Sequence, residues 1–324
     1  MSSRTLVNPA AVPTQQASSS ARQQHKLAHL YQVNLNSHIT GNDASISRFK
    51  GRVYIKDESD RYGLPAFKVL GAAYASFVAL CEVWQFDAET TTLEQLRAHS
   101  KTISPTPVLV AATDGNHGRA VAFFSQLVGL EAHILIPSGV SQGAERATGS
   151  EGPDVTVLRL QQSYDECVRQ AAAFANEQVD NGQQRVLIQD TAWQGYTHIL
   201  QLIVDGHQTI FGEVDEKLSA SKRGLATHVI VPVGVGSLAQ AATQSATQLA
   251  PKQMSATMIA VEPFEAACLA ESITAQSLTT VQTGHTIMAD LNCGTPSFTT
   301  WPFLKAGIHS VITIQDEQAL NTAA

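Results

Sequence analysis

Cysteines and long apolar runs are both scarce in this chain of 324 residues. Its four cysteines lie far apart, without a CxxC pair or a cysteine–histidine cluster, so the sequence predicts neither a zinc site nor a disulfide framework. We expect reduced thiols in an intracellular protein, three of them packed and one near a pocket. No apolar run approaches the roughly 20 residues that a membrane-spanning helix needs. The sequence therefore predicts no membrane span.

Positive charge is also in short supply. Lysine and arginine number 21 against 28 aspartates and glutamates, which gives a net charge of -7 at neutral pH. Nucleic acids and anionic membrane surfaces are bound by cationic surfaces, so neither is an expected partner. The hydrophobic content of 44% is typical of a globular protein, and the length allows two domains.

The first 42 residues contain no acidic side chain, since the first one in the chain is Asp43. Such a pattern permits a mitochondrial transit peptide, but no arginine-rich amphipathic helix accompanies it. We therefore predict a disordered tail over residues 1–42 and a cytoplasmic protein.

Residues 56–75, KDESDRYGLPAFKVLGAAYA, run from a polar turn into a helix that continues to about Trp84. Lys68 lies in the first turn of this helix, and the face that follows it carries only methyl groups, at Ala72, Ala75 and Ala79, which leaves room for a bulky group. The lysine has two readings. Its stem can lie along apolar surface with the ammonium in water, or burial can lower its pKa so that the amine forms a Schiff base with a carbonyl.

Apolar strands alternate with amphipathic helices along most of the remaining chain, which predicts parallel α/β structure. After a linker at 88–102, we expect strands near residues 108–111, 133–136, 155–158 and 186–189, with helices near 118–128, 143–148 and 164–179. A second sheet is predicted from strands at 227–233 and 257–261, flanked by helices at 196–217 and from 238, and it should include the material around Lys68. The predicted fold has two lobes flanking a cleft. Residues 95–195 form a smaller lobe that is inserted into a larger lobe of residues 43–94 and 196–324.

Three motifs follow predicted strands of this fold. The first, PVGVGSLA, ends a strand in glycines and opens a helix, so it presents backbone N–H groups and a helix N-terminus to an anion. It matches neither the dinucleotide fingerprint nor the Walker loop. The motif favours a single phosphate, although a tight turn without a ligand is equally compatible.

The second motif, TDGNHG, places Asn116 between two glycines, where its amide can bond a phenolic oxygen of a flat ligand. Asp114 is either a cleft carboxylate or a helix N-cap, and His117 is interpreted as a packing or capping residue.

The third motif, QDTAWQGY, places Asp190 at the ligand-binding edge of the sheet, facing the same crevice as Asp114. Trp193 and Tyr196 can plug the lobe interface. Glu262, after a later strand, is either a cleft or a turn carboxylate.

These parts together suit one cofactor. A lysine able to form an imine, a single-phosphate cradle, an asparagine for a phenolic oxygen and facing carboxylates can hold pyridoxal 5'-phosphate as an electron sink.

The lysine segment at 56–75 and the three motifs resemble those of the diaminopropionate ammonia-lyases. These belong to the fold-type-II (tryptophan synthase β-like) pyridoxal-phosphate enzymes together with the threonine dehydratases. The likeness covers about residues 51 to 297. It implies a cofactor bound covalently to Lys68, with Asn116 at its phenolic oxygen. The residues implied to bind the phosphate are Gly234, Val235, Gly236, Ser237 and Leu238.

The resemblance also implies catalytic roles. Asp114 would remove the α-proton of a D-substrate, Lys68 that of the L-isomer, and Asp190 would bind a distal amine, with Thr113 beside them in the substrate site. The implied reaction eliminates ammonia from 2,3-diaminopropionate to give pyruvate and two ammonia, in a homodimer. Acidic residues suit a diamine, whereas a serine or threonine dehydratase needs hydroxyl-binding side chains.

Members of that family have a further segment beyond this chain's last residues, which supplies the partner of the pyridine nitrogen. The comparison predicts a fold whose C-terminal part is truncated. Two other functions therefore stay open: a serine/threonine dehydratase-like lyase, and a catalytically inactive homologue that acts as a binding module.

Overall fold

The computed structural model describes residues 30–33, 51–179, 181–221, 224–248 and 256–323. No helix in those ranges is long and apolar enough to cross a membrane. The strands are β1 (Leu30–Val33), β2 (Val53–Lys56), β3 (Val108–Ala112), β4 (Glu131–Ile136), β5 (Val155–Arg159), β6 (Arg185–Leu187), β7 (His228–Pro232), β8 (Thr257–Pro263) and β9 (Ser310–Ile314). The helices are α1 (Lys68–Val83), α2 (Leu93–Ser100), α3 (Asn116–Val128), α4 (Gln142–Gly149), α5 (Tyr164–Asn176), α6 (His198–Ala220), α7 (Ser237–Gln248), α8 (Cys268–Ala275), α9 (Trp301–Gly307) and α10 (Asp316–Ala323).

The strands form three sheets. A parallel sheet of four strands has the order β5-β4-β3-β6, and a parallel sheet of three strands has the order β7-β8-β9. The predicted α/β class with parallel sheets is confirmed. The third sheet is the antiparallel pair β1-β2, in which Leu30 lies opposite Lys56.

That pair corrects two expectations. The strand before the lysine segment does not join the β7 sheet, because β2 bonds to β1 instead. Residues 30–33 lie within the predicted tail but form a strand, since they supply the backbone partners of β2. The rest of the predicted tail, residues 1–29 and 34–42, lies outside the described residues. The division into lobes of residues 95–195 and 43–94 with 196–324 stays a prediction.

Strand β3 is buried on both faces, as a central parallel strand requires. Leu109 and Ala111 belong to the core that contains helices α1 and α3, whereas Val108 and Val110 pack with Cys167 of α5. Strand β3 therefore lies between two helical layers, and its carboxyl end leads directly to Thr113.

Helices α1 and α6 cross at two glycines. A Cβ on Gly206 would stand 2.7 Å from the Cα of Gly71, and one on Gly71 would stand 2.6 Å from Nε2 of His207. The alanines of α1 lie in the core next to this crossing and do not line a cavity. The room that their methyl groups leave is filled by the neighbouring helices of the core.

The predicted linker at 88–102 contains helix α2. Thr92 Oγ1 accepts a hydrogen bond from the Gln95 backbone N–H at 3.1 Å, and the Gln95 side chain accepts from the Thr92 backbone N–H at 2.7 Å. This capping box begins the helix, and the fully buried Leu96 holds it to the core.

A buried group of four charged residues fixes the turn that precedes α1. Arg61 donates to both Glu58 and Glu213, and Lys56 bonds the same two carboxylates at 2.8 and 2.6 Å. Because Glu213 lies on α6, the group attaches the turn to the helix that crosses α1. It thereby positions the start of α1, where Lys68 lies.

Candidate active site

One cavity brings the predicted site residues together. About 710 Å³ of space, part of it open to solvent, lies between the start of α1, the carboxyl ends of β3 and β7, and residues 290–293. Every residue that the motifs singled out for cofactor or substrate lines it: Lys68, Thr113, Asp114, Asn116, Asp190, Gly234, Val235, Gly236, Ser237 and Leu238. Lys68 and the glycine turn therefore face one another.

Lys68 Nζ is paired with Asp190 Oδ2 at 2.5 Å. Burial on its own lowers the pKa of Lys68, but the charge of Asp190 and its hydrogen bond raise it above the ordinary value. The predicted fall in pKa is wrong in this state, because the ion pair outweighs desolvation. The alternative of an ammonium held in open water is wrong as well. The amine must separate from Asp190 and lose a proton before it attacks a carbonyl.

Asp190 is itself held on several sides. The Tyr164 hydroxyl donates to its Oδ1 at 3.3 Å, and the Gln189 side chain amide bonds the same oxygen at 3.4 Å. Burial opposes the charge of Asp190, but the charge and the hydrogen bond of Lys68 hold its pKa below the usual range. Asp190 is therefore an ionised anchor for the lysine. The sequence reading missed Tyr164, which starts α5 and reaches the cavity only through the tertiary fold.

Asp114 does not cap the helix that follows it. The N-cap position of α3 is Gly115, and no side chain caps it. The pKa of Asp114 is raised from 3.8 to about 7, first by burial and then by the carboxylates of Asp290, Asp190 and Asp165, while Lys68 opposes the rise. Asp114 is thus poised to exchange a proton near neutral pH.

Asn116 contacts a residue that the sequence reading missed. Its side-chain amide donates a short hydrogen bond to Oδ2 of Asp290. Asp290 lies on a single 3₁₀ turn, Ala289–Leu291, and lines the cavity mouth. No periodicity or strand end marks this position, so no local signal in the sequence pointed to it.

His117 both packs and faces the cavity. Its Nε2 lies 2.8 Å from the Ile188 carbonyl oxygen, which only accepts, so Nε2 carries the proton. Burial lowers the pKa of His117, and the ring is neutral near pH 7. Its Nδ1 lies 3.9 Å from Asp190 Oδ2 and makes no hydrogen bond within the described residues. The packing interpretation holds, and the unprotonated Nδ1 lies buried beside Asp190.

The glycine turn has the features of an anion cradle. Gly236 has a φ of +100°, and a Cβ there would stand 2.7 Å from Leu304 Cδ1. Among the described residues, no backbone carbonyl accepts from the N–H groups of residues 234–238. These free donors lie at the N-terminus of α7, where the helix dipole favours an anion.

Other sequence candidates lie outside this chemistry. Glu262 accepts from the backbone N–H groups of Leu269 and Ala270 at 3.0 and 2.8 Å, so it caps α8 and is not a cleft carboxylate. Trp193 stacks on Tyr196 with ring centroids 4.4 Å apart beside the end of β6. All four cysteines are free and buried, and Cys293 lines the cavity, as the sequence predicted.

This fold and site define a class of protein: an α/β enzyme with a buried lysine facing a cradle for one phosphate. A model of the pyridoxal-phosphate dependent enzyme family matches residues 43–324, and the chain belongs to that family. The chain is 35% identical over 270 residues to the diaminopropionate ammonia-lyase of Salmonella typhimurium, covering 82% of this chain and 65% of that protein. It is 27% identical over 236 residues to the biosynthetic L-threonine dehydratase of the same organism, covering 71% and 36%.

The chain also superposes on solved structures. The holo diaminopropionate ammonia lyase of Escherichia coli superposes with a TM-score of 0.79 at 29% identity, over 97% of this chain and 73% of that one. Maize serine racemase shares the fold, with a TM-score of 0.64 at 20% identity over 97% and 78% of the two chains. The chain spans about 65% of the length of the ammonia-lyases it matches.

The residues present fit the family cofactor. The unpaired N–H groups of the glycine turn suit a phosphate, and Lys68 across the cavity suits an aldehyde. Pyridoxal 5'-phosphate is the cofactor of this family, and the lining of the cavity is compatible with it.

Proposed function

We propose that the protein eliminates ammonia from 2,3-diaminopropionate and releases pyruvate and two ammonia. The observation that carries this proposal is one cavity with Lys68, Asp114 and Asp190 opposite a phosphate cradle. The identity of 35% to diaminopropionate ammonia-lyases supports the choice of substrate.

The proposed cofactor contacts follow from the lining of the cavity. The backbone N–H groups of residues 234–238 would hold the phosphate, and the amide of Asn116 would bond the phenolic oxygen in place of Asp290. Lys68 would supply the amine for the covalent link, which requires it to separate from Asp190. Bound there, pyridoxal phosphate supplies an electron sink that makes the Cα–H bond of an amino acid acidic.

The chain's own side chains then handle the protons. Asp114, with its pKa raised to about 7, accepts the α-proton of the D-isomer, and Lys68 accepts that of the L-isomer. Thr113 holds the loop of Asp114, because its Oγ1 accepts from the Gly115 N–H at 2.9 Å. Asp190 orients Lys68 and, by the family likeness, contacts the distal ammonium of the substrate.

A second candidate is a lyase that acts on serine or threonine, which the match to L-threonine dehydratase favours. The acidic lining of the cavity favours the diamine instead. We further propose a cytoplasmic homodimer, which rests on the family resemblance alone.

The decisive experiment adds pyridoxal phosphate to the purified chain and records the near-visible absorption of the lysine-bound cofactor. D- or L-2,3-diaminopropionate is then supplied and pyruvate is assayed. We expect the band and pyruvate from the parent chain, loss of both in Lys68→Ala, and retention of both in Lys305→Ala, which removes an exposed lysine.

Two results would contradict the proposal. A parent chain without the absorption band holds no cofactor in this way. Pyruvate from serine, with none from the diamine, would select the second candidate.

A further inference from the structure

Apart from the N–H groups of the glycine turn, which suit a phosphate, the part of the cavity wall that the structure describes carries carboxylates without a cationic partner. Within the described residues, neither Asp114 nor Asp290 forms an ion pair with a lysine, arginine or histidine, and Nδ1 of the buried His117 has no hydrogen-bond donor. A ligand that matches this wall must bring positive charge and several N–H donors. An ammonium group has both properties.

Asp190 is not free to meet that need in the described state. Its Oδ2 bonds Lys68 at 2.5 Å, and its Oδ1 already accepts from Tyr164 and Gln189. When Lys68 leaves Asp190 to bind the cofactor, Oδ2 is released but Oδ1 keeps its contacts with Tyr164 and Gln189, so Asp190 can satisfy the second ammonium of a substrate only in part. A further carboxylate is placed to share it.

Asp290 is that carboxylate. It lines the same cavity, its Oδ2 accepts from the amide of Asn116, and its Oδ1 would lie 3.3 Å from a Cβ on Gly115. It therefore lies against the loop that carries Asp114. Its charge, together with burial, is among the causes that raise the pKa of Asp114, which shows that the two carboxylates sense one another.

We propose that Asp290 is a specificity-determining residue that, with Asp114, binds the distal ammonium of a diamino-acid substrate. This inference rests on the proposed function and adds to it a residue outside the predicted site. A diamine matches the unpaired carboxylates with its second charge. A substrate with one amino group leaves Asp290 without a cationic partner, so Asp290 favours diamines.

The test measures binding in place of turnover. Isothermal titration calorimetry with the chain preincubated with pyridoxal phosphate compares L-2,4-diaminobutyrate with L-2-aminobutyrate, neither of which carries a leaving group on Cβ. We expect the parent chain to prefer the diamine. The Asp290→Asn variant keeps the shape of the side chain and should weaken diamine binding about fivefold to tenfold, with the monoamine unchanged.

Asp165→Asn is the matched control. Asp165 is exposed and its charge also raises the pKa of Asp114, but it does not line the cavity. Asp165→Asn should leave the affinities for the diamine and the monoamine unchanged. This result would distinguish a direct contact with the ligand from a long-range electrostatic effect.

Three results would overturn the inference: equal weakening of both ligands in Asp290→Asn, no change in either, or tighter cofactor binding with the ligand preference intact. A diamine preference that depends on Asp290 would stand even if no pyruvate forms. Failure of the proposed reaction and failure of this inference are therefore distinguishable.

Discussion

Ionisation of Asp114 is opposed by its burial and by the negative charges of three other carboxylates, those of Asp290, Asp190 and Asp165. The pKa of about 7 follows first from burial and then from that surplus of negative charge. The pKa of Lys68 also depends on burial and on neighbouring charge. Burial lowers it, whereas Asp190 raises it by favouring the ammonium form. Proton transfer in this cavity thus depends on how ligands redistribute charge among a few side chains.

The pH dependence of the reaction should report Asp114. A base must be unprotonated, so kcat/KM for D-2,3-diaminopropionate should rise with pH through about 7, well above the usual range of an aspartate. The Asp114→Asn variant should keep the cofactor band, lose this rise and lose most of its D-isomer activity. Steady-state pyruvate assays across pH check the expectation.

The L-isomer serves as the internal control for that variant. Lys68, and not Asp114, is the proposed base for it, so L-isomer activity should fall much less. Equal losses on both isomers would contradict two bases on opposite faces.

Single residues were predictable where a local pattern marks them. Lys68, Asp114 and Asp190 follow turn-to-helix or strand-to-loop transitions, and the structure brings them into one cavity. Asp290 and Tyr164 could not be found in this way, because only the tertiary fold brings them near Asn116 and Asp190. The raised pKa of Lys68 was also beyond reach, since it depends on a partner 122 positions away in sequence.

In the glycine turn before α7, the backbone conformation determines the direction of the N–H donors. Replacement of Gly236 by alanine forces a side chain into a φ of +100° and towards Leu304. We expect pyridoxal phosphate to bind about tenfold more weakly, or worse, because the N–H groups no longer converge on the phosphate. Absorption titration measures the affinity.

Gly212→Ala provides the comparison for the glycine turn. Nothing lies within 4 Å of a Cβ at Gly212, which lies inside α6, so cofactor affinity should stay unchanged there. Far-ultraviolet circular dichroism verifies that both variants are folded. Equal cofactor affinity in Gly236→Ala and the parent chain would exclude the turn as the phosphate site.

Helix α2 is an element that the sequence did not lead us to predict. The segment 88–102 is polar, with few apolar residues to set a helical period, so it was interpreted as a linker. Thr92 and Gln95 carry a capping-box pattern that did mark the helix start. Strand β1 had no comparable signal, because its formation depends on pairing with β2.

Across the whole molecule, the buried charges near α1 join distant parts of the chain. Arg61 is 2% exposed and shares two carboxylates with Lys56, one of them on α6. Glu213→Ala would remove one of the two carboxylates that Arg61 and Lys56 share. We expect the free energy of unfolding to fall by about 3 kcal/mol, since removing one partner of a buried pair leaves uncompensated charge. Urea denaturation followed by circular dichroism measures the change.

A surface pair supplies the reference for this stability effect. Arg169 and Glu166 form an ion pair one helical turn apart on α5, with the arginine side chain 67% exposed. Arg169→Ala should leave the unfolding curve nearly unchanged, because solvent screens such pairs. Similar curves for Glu213→Ala and the parent chain would show that the buried group does not stabilise the fold.

The α/β class and the parallel strand pairs were predictable from alternating apolar and amphipathic segments. Assignment of the material around Lys68 to the β7 sheet was wrong, because hydrophobic pattern identifies a strand without naming its neighbour.

The crossing of α1 and α6 at Gly71 and Gly206 limits how this enzyme can be altered. The Cβ that any larger residue brings would meet His207 and Ile203 at position 71 and the backbone of α1 at position 206, so the separation of the two helices has little freedom to change. Redesign of the cavity for other ligands should therefore leave both helices untouched and vary the opposite wall, at the loops that carry Asp114 and Asp290.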